Sequence, residues 1–255
     1  MSSLFRFALQ LFSRPLLIRV SQWLYPLLDL WYRGKVYTDP INGKSYRKFL
    51  PYGYQKQRTN VLSPGTLSLE RHRLLWLYFD RETDFFDRAA DVLHVAPEQA
   101  FVKRFRQLNH QSYITSDLRS PLADVQADIC NLPFSNQQFD WVVCNHVLEH
   151  IPNDKIAMQE IYRVLKPGGI AILQVPLRLD QNTIEDNRIT DLKERTRVFG
   201  QYDHVRIYGK DYQTRLEEIG FQVQMLAYAE QLTMEQQRRY AVPANEIIPV
   251  CTKVI

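Results

Sequence analysis

The sequence predicts an α/β fold: a mostly parallel, Rossmann-like sheet with a reversed strand at its end. Three observations carry this expectation. Segments that read as short strands recur at residues 91–96, 112–116, 125–128, 139–144 and 170–175, the last two of them distinctly apolar. Segments with helical spacing separate them, at 98–108 and again before the stop Leu165-Lys166-Pro167-Gly168-Gly169, and such alternation builds parallel βαβ units. The chain then closes with a helix at 210–219, capped by Gly220, and two final runs at 221–227 and 247–254 that read as an antiparallel pair.

The composition narrows the class. A chain of 255 residues can bury one good core with a small appended module. The net charge of +4 permits an anionic partner without demanding one. Basic residues form no dense stripe interleaved with aromatics, so no nucleic-acid partner is expected. Cys130, Cys144 and Cys251 are far apart and form no CxxC pair. They read as small core residues of a protein in the reducing cytoplasm.

Three regions follow in order. Residues 1–35 alternate apolar runs with Arg6, Arg14, Arg19, Arg33 and Lys35, and Pro15 and Pro26 break them into short helices. These runs are too short and too charged to cross a bilayer, and no secretory cleavage site follows. An amphipathic, basic segment of this kind either lies on a membrane surface, here the inner face, or packs on the protein itself or a twin subunit. Residues 36–86 form a small Pro- and Gly-punctuated segment and a linking helix over 67–86. Arg71, His72 and Arg73 are expected on that helix's solvated or domain-contacting edge. The main domain runs from 87 to 255, with an insertion at 177–209.

The central stretch, 139–176, reads FDWVVCNHVLEHIPNDKIAMQEIYRVLKPGGIAILQVP. Its two phrases, NHVLEHI and YRVLKPGG, at this spacing resemble the class I S-adenosylmethionine-dependent methyltransferases of the type 11 kind. The resemblance implies a seven-stranded sheet and S-adenosylmethionine as cofactor. Residues 37–66 resemble a bacterial subgroup in which a zinc ribbon with paired CPxC knuckles precedes the catalytic domain. The knuckles align with Asp39-Pro40-Ile41-Asn42 and Ser63-Pro64-Gly65-Thr66, so all four ligand positions are changed. Asn, Ser and Thr are poor zinc ligands, and no metal is expected. The hairpins would then be held by Tyr37, Tyr46, Phe49, Leu50, Tyr52 and Tyr54.

Ligands of open α/β sheets bind beyond the carboxyl ends of the strands, which makes four strand ends candidate cofactor contacts. The first is His94-Val95-Ala96-Pro97-Glu98. Here His94 stands where the family has an acid, and Ala96 and Glu98 stand where it has glycines. By the resemblance, Glu98 takes over the pairing with the cofactor's ammonium group. At the second, Asp117, beside Leu118, can accept from both ribose hydroxyls. At the third, the acid-x-x-x-Leu-Pro-Phe wording implies that Asp128 accepts from the adenine amino group and that Ile129 walls the ring. The fourth is Asn145-His146, expected to floor the sulfonium end.

The acceptor site is expected from the insertion, which is longer than a compact domain needs. His204 is the leading candidate for general base, with Asp203 orienting it and His150 as a competing catalytic group. Arg206, Tyr208 and Glu149 are expected to contact the acceptor, and Arg206 suits an anionic group. The function expected is methyl transfer to a small-molecule, lipid or lipid-linked acceptor. The alternative is a methyltransferase-like binding or scaffold protein without turnover, supported by the altered first loop.

Overall fold

The computed structural model describes residues 26–53, 57–108, 110–120, 123–243 and 245–254. The expected amphipathic segment therefore lies largely outside the described residues, as does Tyr54. Residues 26–31 are helical, with Leu27, Leu30 and Trp31 exposed. Among the described residues, no helix is long and apolar enough to cross a membrane. The chain divides into two compact units: Met1–Leu77 with Leu232–Ala244, and Tyr78–Gln231 with Asn245–Ile255. The linear division expected at residues 35 and 86 does not contain the return of residues 232–244 to the first unit.

The first unit carries two antiparallel hairpins, β1 (Arg33–Asp39) with β2 (Lys44–Tyr46) and β3 (Leu50–Tyr52) with β4 (Arg58–Leu62). The first turn is built by side chains that mimic backbone. Asp39 accepts from the Ile41 amide at 3.0 Å, Asn42 accepts from the Lys44 amide at 2.9 Å, and Gly43 supplies a φ of 69°. The two knuckle-like turns are tied together by hydrogen bonds. The hydroxyl of Thr66 donates to buried Asp39 at 2.5 Å, and that of Ser68 donates to the same oxygen at 3.2 Å. Tyr46 and Phe49 are buried and Tyr37 packs on Phe49, as expected, while Tyr52 is 48% exposed.

Helix α1 (Glu70–Glu82) corrects one expectation. Arg73 is fully buried and His72 nearly so; neither lies on a solvated edge. The Arg73 guanidinium donates to the carbonyls of Val61, Ser68, Tyr240 and Ala241 at 2.7–2.9 Å and lies 4.6 Å from the centre of the Phe49 ring. Burial lowers its pKa to about 10, so it remains charged at neutral pH. It thereby joins β4, the turn after it and the end of helix α6 (Met234–Tyr240), which starts on a capping box at Thr233.

The second unit holds a seven-stranded sheet in the order β13-β14-β9-β8-β5-β6-β7. The strands are β5 (Asp91–Val95), β6 (Ser112–Asp117), β7 (Val125–Gln126), β8 (Phe139–Cys144), β9 (Leu165–Ile172), β13 (Phe221–Leu226) and β14 (Ile248–Lys253). All pairings from β7 to β9 are parallel, and β14 alone runs against its neighbours. Helices α2 (Gln99–Phe105), α3 (Asp154–Val164) and α5 (Tyr212–Glu217) connect the strands. The fold expected from the sequence is the one observed. The insertion contains β10 (Leu177–Arg178), β11 (Ile184–Glu185), α4 (Leu192–Phe199) and β12 (Arg206–Gly209), in a small sheet ordered β10-β12-β11.

One boundary differs. The Lys-Pro-Gly-Gly expected to stop the chain before a strand at 170 already lies in β9. Lys166 is pinned by Asp91 and Asp140 at 2.8 Å each, and a side chain at Gly169 would press on the Lys166 and Asp140 carbonyls. The two glycines thus let a crowded, irregular strand start pass. The core beneath is aromatic: Phe79, Phe85, Phe105 and Trp141 are buried, with the rings of Phe79 and Phe85 stacked at 4.2 Å.

Candidate cofactor and acceptor site

The parallel strands β5, β6, β7 and β8 all end on the same edge, and the sequence changes character at each end. β5 is a buried apolar strand until Ala96, which turns the backbone with a φ of 47°. That is the left-handed conformation in which glycine is the usual residue. The Ala96 amide is held by the Ser116 carbonyl at 2.7 Å. Val95 is buried and Pro97 half-buried. His94 is fully buried, and its Nδ1 lies 2.8 Å from the Tyr113 hydroxyl. It supports the loop from beneath, and the loop's acid is Glu98.

Glu98 and Asn145, from two strand ends far apart in sequence, meet here. The Asn145 amide donates to the Glu98 carboxylate at 2.8 Å. Asn145 is 4% exposed, and its own carbonyl oxygen is buried with no hydrogen-bond partner among the described residues. Asp117 is half-buried at the end of β6. One of its oxygens accepts from the Arg119 and Ser120 amides at 2.7 and 2.6 Å. Leu118 beside it is 53% exposed, unusual for a large apolar side chain at a strand end. Asp128 is exposed and accepts from the Cys130 amide at 2.9 Å, while Ile129 is 5% exposed and belongs to the core. The loop after it is gripped by α3: Arg163 donates to the carbonyls of Leu132 and Phe134, and Glu160 accepts from the Leu132 amide. Sequence reasoning missed this clamp, although Glu160 and Arg163 stand three apart on a helix, the spacing at which such side chains meet.

The turn after β8 is the second half of the site. His146 has a φ of 54° and is held by the Gln174 carbonyl. Its Nδ1 lies 3.3 Å from one oxygen of Glu149, which is 2% exposed. Burial by itself would raise the Glu149 pKa. The hydrogen bond from His146 and the nearby imidazoles outweigh it and hold the carboxyl below its ordinary range. The insertion brings His204 to this turn. The Val205 amide donates to the Glu149 carbonyl at 3.0 Å, and the His204 and His150 rings meet edge to face, 4.7 Å between centres. Burial lowers the pKa of His204, which favours the neutral imidazole.

Three acceptor-side expectations need correction. Asp203 does not orient His204; its carbonyl and carboxylate lie 3.2 and 3.5 Å from Nδ1 of His150. Arg206 is 1% exposed, and its guanidinium is spent on the carbonyls of Leu148, Ile151 and Pro152 and on Glu185. Tyr208 is fully buried and donates to Asp154 at 2.6 Å. Both side chains lock the insertion to the turn after β8, and neither is open to an acceptor. Their spacing of two on one short strand puts both side chains on the same, buried face.

A Rossmann-like sheet with carboxylates at successive strand ends defines a domain for a nucleoside-bearing cofactor. Residues 81–173 match the family model described as the methyltransferase domain, and the sheet order is that of a Rossmann-like methyltransferase fold. Among curated proteins, the chain is 48% identical over 48 residues to the demethylmenaquinone methyltransferase of Staphylococcus carnosus, covering 19% of this chain and 20% of that protein. It is 41% identical over 49 residues, again 19% and 20%, to the ubiquinone/menaquinone biosynthesis C-methyltransferase UbiE of Coxiella burnetii. The chain thus spans about a fifth of the length of the curated relatives it matches. Among solved structures, an S-adenosylmethionine-dependent methyltransferase from Mesorhizobium loti matches 70% of this chain and 96% of its own, at 12% identity and a TM-score of 0.46.

The residues fit the cofactor S-adenosylmethionine. The buried Asn145 oxygen, without a hydrogen-bond partner among the described residues, calls for a donor such as an ammonium group, and the Glu98 carboxylate beside it carries the complementary charge. The exposed Leu118 offers an apolar wall next to Asp117, whose second oxygen is not used by the turn.

Proposed function

We propose that this chain catalyses methyl transfer to a small-molecule acceptor received beside His146, Glu149, His150 and His204. The observation that carries the proposal is the continuity of the two halves. Asn145, paired with Glu98, is followed directly in the chain by His146, which holds Glu149. Glu98 and Asn145 would hold the methionine end of the cofactor, Asp117 the ribose, and Asp128 with Ile129 the adenine. S-adenosylmethionine supplies an already activated methyl group, so the protein's task is to position the acceptor and take its proton. His204, neutral and half-buried, is the proposed base, with His150 beside it held by Asp203.

The test is calorimetric titration with S-adenosylmethionine and S-adenosylhomocysteine. Asp117→Asn is the informative variant, because asparagine keeps the oxygen that accepts from the Arg119 and Ser120 amides and removes only the charge. Micromolar binding by the parent and about tenfold or greater loss in the variant are expected, the value of one charged hydrogen bond. No binding by the folded parent would leave the scaffold reading in its place.

A narrower form of the proposal is an apolar, lipid-like acceptor met at a membrane surface. The basic apolar sequence of residues 1–35 supports it, and so do the quinone names of the short-range relatives. Liposome binding that weakens with salt and disappears on deleting residues 1–35 is the expected result. Binding indifferent to the deletion would remove the membrane from the reading.

A further inference from the structure

We propose that Glu149, His150 and His204 form a binding site for one divalent transition-metal ion, of the zinc type, with a coordination position left open toward the acceptor. The inference rests on the reading of this cluster as the acceptor site and changes the part of His204 in it: with the ion bound, His204 is a ligand and not a base, and coordination to the ion takes over the activation of the acceptor. One donor atom from each of the three side chains lies within 4.8 Å of the other two. Bond lengths of about 2.0–2.2 Å require donors roughly 3.3 Å apart, so the site closes by side-chain rotation alone.

The surroundings prepare each ligand. The Asp203 carbonyl, 3.2 Å from Nδ1 of His150, can only accept, so the proton sits on Nδ1 and Nε2 presents a lone pair. Metal-bound histidines are typically held in this way through their second nitrogen. The ring of His204 packs edge to face on that of His150, 4.7 Å between centres, which brings the second imidazole into the cluster. His146 engages one oxygen of Glu149, and the other oxygen is buried with no hydrogen-bond partner. A carboxylate oxygen so enclosed costs free energy unless something occupies it. The near-perpendicular imidazole planes, 84° apart, suit two rings converging on one point.

Two imidazoles and one carboxylate are a donor set of catalytic zinc sites, in which a fourth position takes water or substrate. Two neutral imidazoles and one carboxylate leave the ion a net charge of +1, which favours an anionic fourth ligand. The structure therefore points to an acceptor that binds through an ionisable oxygen, such as a phenol, enol or hydroxyl, giving up its proton to solvent as it coordinates.

The test uses tag-free, full-length protein stripped with a chelator, then titrated with Zn²⁺ by calorimetry and with Co²⁺ by its visible absorption. Binding of one ion per chain is expected. His204→Ala and Glu149→Gln should each weaken it by roughly 100-fold or more, the upper limit of losing a mere outer-shell partner. His110→Gln, in a histidine outside the cluster, should leave it unchanged. Because Glu149 is buried, His150→Asn at the half-exposed ligand serves if Glu149→Gln fails to fold. Absence of single-ion binding by the folded parent, or binding that survives His204→Ala, overturns the proposal. S-adenosylmethionine titrated into the same samples separates the two readings. Cofactor bound without metal retires the metal site alone, and metal bound without cofactor retires the methyltransferase reading alone.

Discussion

Replacing Arg73 with methionine is expected to destabilise the first unit by about 3–5 kcal/mol, the cost typical of breaking a buried charged network. Methionine keeps most of the stem's volume but takes the guanidinium away from the carbonyls of Val61, Tyr240 and Ala241, while that of Ser68 still accepts from the Ser63 amide. Each buried orphan acceptor costs about 1–3 kcal/mol, and only part of this is recovered by relaxation toward water. Urea unfolding of the variant, followed by hydrogen exchange across residues 33–62, measures the loss. Arg73→Lys should recover a minority of it, since an ammonium cannot reach all four carbonyls at once. A cost below about 1 kcal/mol would mean that the hairpins are held by Tyr46, Phe49 and the Asp39–Thr66 bond without the guanidinium.

The second large effect is expected at Glu98. Glu98→Gln keeps an oxygen able to accept from the Asn145 amide and keeps the side chain's shape. It removes the only acidic side chain of the first loop, where this chain departs from the glycine-rich pattern of the family it resembles. A charged hydrogen bond to an ammonium group is worth about 1.5–3 kcal/mol, so affinity for S-adenosylmethionine should fall about 10- to 100-fold. Thermal stability should stay near that of the parent, because the Asn145 contact survives. Affinity within about twofold of the parent would show that the cofactor's charge is balanced elsewhere.

Much of the second unit was legible because its signals are local. Buried parallel strands tend to continuous apolar runs, and β5 and β8 come near to that pattern. Asp117, Asp128 and Asn145 follow from a general rule about where strands end, and Glu98 from comparison with the glycines it replaces. What the sequence left open was the occupation of polar side chains. Arg73 and Arg206 look like surface cations in a linear reading, yet each is buried and surrounded by carbonyls contributed by distant segments. Asp203 stands next to His204 in the chain, but the turn at residues 201–204 carries its carboxylate to His150 instead.

The sequence by itself determined the class of fold, the order of its elements and the strand ends at which Glu98, Asp117, Asp128 and Asn145 stand. Those features depend on periodicity and on turn chemistry, which act over a few residues. The tertiary structure alone decided which polar groups are free to act. It spent Arg206 and Tyr208 on joining the insertion to the turn after β8. That join brings His204 from the insertion to His150 and Glu149, more than fifty positions earlier in the chain. Such encounters are set by long-range packing, where the need to satisfy every buried donor and acceptor overrides what any residue prefers locally.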